Sequence, residues 1–136
     1  MVVSLHACDT ATDIVLAKAV KSGTRVILSS PCCHHEMMNQ LNKKDGALGI
    51  MCEYSMLKQK LCDALTDSLR AKLLEAFGYK VDVIEFIDPD ETPKNLLIRA
   101  VKTGEINNTA LTEYKNAVKE LEISPKLAEL LNINTH

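Results

Sequence analysis

The sequence predicts one α/β domain whose short sheet begins with parallel strands and ends in a hairpin. Three observations lead there. Two apolar, β-branched runs, "MVVSLHA" and "TRVILSS", are too short for helices and are separated by a helical pattern, so they read as strands joined by a crossover. The stretch "EYSMLKQKLCDALTDSLRAKLLEAFG" carries an apolar residue at every fourth position and reads as a long second crossover helix. Two further runs, "KVDVIEFID" and "NLLIRAVK", flank the turn "PDETP", and so short a turn makes an antiparallel hairpin. A length of 136 residues suits one compact domain.

In chain order, the first strand leads into "DTATDIVLAKAVKSG". Thr10 or Thr12 can cap that helix, Ile14, Val15, Leu16 and Ala17 supply its apolar face, and Gly23 stops it. The second strand opens into "PCCHHEMMNQLNKKDG", a turn and an irregular or briefly helical segment. On the long helix Leu57, Leu61, Leu65, Leu69, Leu73 and Phe77 form the stripe, Cys62 lies among them, and Gly78 ends it. Both crossovers are expected to be right-handed and to join parallel strands. Two helices follow: Leu111, Tyr114, Val118 and Leu121 recur at helical spacing, and "SPKLAELLNI" offers Ser124 as a cap with Pro125 at the first helical position.

Composition narrows the function classes. Hydrophobic residues make up 46% and charged residues 25%, ordinary values that argue against disorder. A net charge of -2 gives no general electrostatic grip on nucleic acid, although a local basic face stays open. No apolar run approaches the roughly 20 residues that span a bilayer, and no signal peptide is read at the start. Five cysteines, an odd number with one vicinal pair, point to thiols in a reducing, cytoplasmic setting.

The chemistry concentrates in two stretches. The first strand ends at His6, Ala7, Cys8 and Asp9; the second ends at Ser30, Pro31, Cys32, Cys33, His34 and His35. If the two strands are parallel neighbours, both sets emerge at the carboxyl edge of the sheet, where open α/β sheets bind ligands. A zinc site is one reading of so many soft ligands, but adjacent ligands tend to point apart and no CxxC pair is present, so no metal is expected. A Cys33 nucleophile beside His34 lacks an evident orienting group. Asp9 and Thr10 could instead do no more than cap the first helix.

The motifs "LHACDTATD", "PCCHHE" and "TPKNLLIRA" carry a resemblance. Residues 1–102 resemble the C-terminal half of bacterial S-adenosylmethionine-dependent methyltransferases, a group similar to eukaryotic methyltransferase-like proteins once described as ribosomal RNA adenine dimethylase-like. The helical tail, 103–136, follows more loosely. The resemblance implies a partial Rossmann-like methyltransferase sheet, strands four to seven of that fold, with S-adenosylmethionine as cofactor. Such enzymes hold the cofactor on a glycine-rich turn. The five glycines here, Gly23, Gly46, Gly49, Gly78 and Gly104, form no such turn, and Gly46 and Gly49 are expected in a loop. The chain is therefore expected to be a truncated, acceptor-side half, with a non-catalytic oligomeric or binding remnant as the alternative.

By the same resemblance, His6 and Asp9 are the catalytic candidates, and Cys8 and Thr10 touch the cofactor. Pro31, Cys32, Cys33, His34 and His35 form the substrate wall, and Lys94 and Asn95 after Thr92-Pro93 lie over the same edge. RNA or protein is the substrate class expected. The strand Val2–Ala7 is expected to pair with a second copy or with the missing half.

Overall fold

The structure, a computed structural model, describes residues 1–31, 34–85 and 96–135, with the backbone alone at His6. The elements are β1 (Val2–Ala7), α1 (Thr10–Lys21), β2 (Val26–Pro31), α2 (His35–Gln40), α3 (Gly46–Cys52), α4 (Ser55–Ala76), β3 (Tyr79–Glu85), β4 (Leu96–Lys102), α5 (Asn108–Leu121) and α6 (Lys126–Leu130). Gly46 and Gly49, expected in a loop, belong to α3: Gly46 enters with φ +72°, and a side chain at Gly49 would collide with the backbone of Lys44.

The sheet order is β1-β2-β4-β3. β1 and β2 are parallel, and β4 runs antiparallel to both of its neighbours. The hairpin is therefore present, but β4 inserts between β2 and β3, so the second crossover does not join adjacent strands. This is a mixed α/β arrangement compatible with a methyltransferase-like fold.

One face of the sheet is covered. Ile27 and Ala100 are paired in register, as are Ser29 and Ile98, and all four side chains are buried beneath α1 and α4. α5 packs on α4 and α6 packs on α1, so the last two helices extend the same core instead of standing apart. On the opposite face Val3, Leu5, Asp82 and Arg99 are exposed.

The helix expectations hold in outline and fail in phase. Each four-residue step overshoots a full turn by about 40°, so a leucine at every fourth position drifts around the helix. On α4, Leu69 and Leu73 are buried and Leu57 is exposed; Cys62 and Leu74 fill the covered face instead. On α1, Ile14 faces out, while Thr12 and Asp13 are buried. Gly23 and Gly78 end their helices with φ +68° and +89°, and a side chain at Gly78 would run into the carbonyl oxygens of Gly104 and Glu105. Asn107 caps α5 by accepting from the Ala110 amide, whereas Ser124 does not cap α6, whose N-cap position is Pro125.

Candidate functional site

Because β1 and β2 are parallel, their carboxyl ends open on the same edge, and the structure ties them together there. Asp9 leaves β1 with φ 48° and ψ -122°, a conformation that side chains rarely adopt. It occupies the N-cap position of α1 but makes no side-chain cap bond. Its Oδ1 instead accepts the backbone N–H of Glu36, 3.1 Å away in the first turn of α2. Neither threonine supplies the expected cap: Thr12 Oγ1 donates back to the Ala7 carbonyl at 2.9 Å, and Thr10 is the first helical residue.

Beneath this edge lies a buried charged cluster. The Arg70 guanidinium donates from Nε to Asp13 Oδ1 at 2.8 Å, from one terminal nitrogen to Asp67 Oδ1 at 3.3 Å and from the other to the Asp9 carbonyl at 2.9 Å. Burial opposes the charge on Arg70, but Asp13 and Asp67 outweigh it and leave the pKa raised. The cluster supplies the pairing that buried charge requires.

His34, at the N-cap position of α2, joins it. Its Nε2 lies 2.9 Å from Asp67 Oδ1, the oxygen that also accepts from Arg70. A carboxylate only accepts, so Nε2 carries the proton and Nδ1 presents a lone pair when the ring is neutral. His34, expected in the substrate wall, is 1% exposed and turns into the core to meet Asp67. Among the described residues its Nδ1, like Ser29 Oγ and Ser30 Oγ, is buried without a hydrogen-bond partner. Ser29 and Ser30 are consecutive on β2, so Ser29 Oγ faces the helices and Ser30 Oγ the other side of the sheet; buried polar groups on either side are nearly always satisfied.

Among the remaining candidates, Pro31 is buried, His35 and Cys8 are exposed, and Thr10 is half-buried. Cys32, Cys33, Lys94 and Asn95 lie outside the described residues, as does the "PDETP" turn, and the His6 side chain is not described. Among the described residues no cluster of three or more His, Cys, Asp or Glu could hold a metal ion. An open hollow of about 700 Å³ beside Val20, Phe77, Lys102 and Ile106 sits at the opposite end of the sheet and includes none of the candidates.

Sequence reasoning missed Asp13, Glu36, Asp67 and Arg70. A signal existed: Asp67 and Arg70 share the covered face of α4 with Leu73 and Leu74, where a charge must be paired. Glu36 is half-buried, and desolvation raises its carboxyl above the ordinary value although the Lys126 N–H favours the charged form.

Comparison with known proteins bears on this same edge. Residues 1–40, which contain β1, α1, β2 and α2, match a family described as "Methyltransferase domain". That match supports a methyltransferase at the level of the family. Three mammalian proteins, each named "Glutathione S-transferase C-terminal domain-containing protein", are similar over most of the chain. The human and Macaca fascicularis proteins are 29% identical over 124 residues, and the Bos taurus protein is 30% identical over 122. The similarity takes in 73% of this chain and 19% of each relative, so the chain spans about a fifth of their length. No solved structure matches. Among the described residues no helix is long and apolar enough to cross a membrane.

Proposed function

We propose that the chain carries the acceptor-side part of an S-adenosylmethionine-dependent methyltransferase. The observation that carries this reading is the bond from Asp9 Oδ1 to the Glu36 amide, which joins the exits of two parallel strands within the stretch that matches the methyltransferase domain family. Ser30 Oγ and His34 Nδ1, without a hydrogen-bond partner among the described residues, fit an edge that takes a polar ligand. When bound, S-adenosylmethionine supplies an electrophilic methyl group. Cys8 and Thr10 would hold it at the β1 exit. Asp9 would orient an acceptor, His6 would take its proton, and the β2 exit with His35 would wall the opposite side. The acceptor would be RNA or protein.

The alternative is a binding remnant of the same fold, favoured by the lack of a glycine-rich turn among the five glycines. In either case the outer edge of β1 would receive a further strand, from a second copy or from a cofactor-gripping half. Titration of the isotope-labelled chain with S-adenosylhomocysteine tests the reading. Amide shifts confined to Cys8–Thr12 and the first turn of α2 are expected. No shift at millimolar ligand, or shifts only near Phe77 and Ile106, would favour the remnant.

A further inference from the structure

We infer that Arg70 is a positioning residue: it holds the backbone of Asp9 in the conformation that lets the Asp9 carboxylate reach across to the second strand. The inference rests on the reading of Asp9 as a site residue. Asp9 sits at φ 48° and ψ -122°, a region that costs a residue with a side chain on the order of 1–3 kcal/mol and persists only where the surroundings enforce it. Two bonds enforce it. One is the Asp9 Oδ1 contact with the Glu36 amide; the other is the Arg70 donation to the Asp9 carbonyl at 2.9 Å. The carbonyl bond sets the peptide plane, and the peptide plane sets where the side chain points.

Only a planar fork can do this here. Arg70 reaches three elements in three directions: Asp13 on α1, Asp67 on its own helix and the carbonyl at the β1 exit. The two carboxylates lock the guanidinium so that its remaining nitrogen faces the carbonyl. Asp67 shares its Oδ1 with His34, so one oxygen links the brace on β1 to the exit of β2. A lysine at 70 would keep the charge and could satisfy one carboxylate, but would not span all three.

The test compares Arg70→Lys with the parent chain by amide hydrogen exchange, without cofactor. The Glu36 amide is expected to exchange about tenfold faster than the fall in global stability accounts for, which corresponds to about 1.4 kcal/mol of lost local protection, while the amides of Ile27 and Ile98 speed up only by that global fall. Combining Arg70→Lys with Asp9→Gly adds a second measurement. Glycine relieves the backbone strain, so the unfolding midpoint should fall less on Arg70→Lys in that background than in the parent. Asp67→Asn, which loosens one anchor and keeps the shape, should speed the Glu36 amide in the same direction if Arg70→Lys does not fold. Equal losses in both backgrounds, or a Glu36 amide that moves only with the whole core, would overturn the inference. Neither measurement depends on S-adenosylhomocysteine binding, so failure here is separate from failure of the methyltransferase reading.

Discussion

The two faces of the sheet are built from the same strands and meet opposite surroundings. On one, Ile27, Ser29, Ile98 and Ala100 disappear under α1 and α4; on the other, Val3 and Leu5 stand 50% and 62% exposed beside the exposed Arg99 and Asp82 pair, whose closest N···O distance is 4.0 Å. The covered face shows what holds this chain together. The open face is half apolar, and it adjoins an edge strand that carries no charged residue and pairs only with β2 among the described residues. Edge strands of that kind are usually blunted or covered. The contrast therefore separates residues whose burial stabilises the chain from residues that contribute little to it as it stands.

The sharpest break lies under the covered face. Arg70→Met leaves Asp13 and Asp67 buried without their cation, and removing one partner of a buried ion pair costs about 3–5 kcal/mol. Urea unfolding followed by circular dichroism should show a loss in that range; a loss below about 1 kcal/mol, the scale of an exposed pair, would mean that water reaches the cluster. Ile98→Ala comes next, at about 2–5 kcal/mol for an isoleucine at full burial.

The open face should behave differently. Leu5→Lys is expected to change unfolding stability by no more than about 0.5 kcal/mol, because little contact is lost at an exposed position. If a strand joins β1, the same substitution should abolish that association in analytical ultracentrifugation. A parent chain that sediments as a monomer, with the Val2–Ala7 amides exchanging rapidly, would contradict a self-paired edge.

The sequence made the covered face readable and left the cluster unread. Alternation and length exposed the four strands, and Gly23 and Gly78 marked two helix ends through their positive φ. The insertion of β4 between β2 and β3 is not encoded in local patterns, because strand order is a long-range choice; only the resemblance implied a last strand antiparallel to both neighbours, as β4 is. His34 is legible as a ligand type, but its direction depends on Asp67, 33 residues away. From the sequence alone Asp9 reads as either a cap or a site residue. Its bond to Glu36 decides against the cap, and no propensity could supply that bond, since residues with positive φ are uncommon outside glycine. The buried Asp13 and Arg70 make the same point: their pairing spans 57 residues, and only tertiary contact makes it visible.

The smallest effect is a pH dependence at the joint between the site edge and the tail. Glu36 accepts from Gln40 and from the Lys126 amide, and desolvation raises its carboxyl above the ordinary 4.5, against the lowering by Lys126. The folded chain therefore holds this proton more tightly than the unfolded chain. By linkage, stability from this group is fully present below about 4.5, is lost as pH rises through the raised folded value, and changes no further above it. Glu36→Gln removes the titration while keeping the shape. Urea midpoints measured for both chains across acid to neutral pH should show the parent's advantage, or its smaller deficit, at the acid end and its decline toward neutrality. A difference that stays constant with pH would show that Glu36 is solvated like a surface carboxylate. One that grows in the parent's favour would mean that the Lys126 and Gln40 bonds outweigh burial, and that α6 is pinned to the site edge by charge instead of by packing.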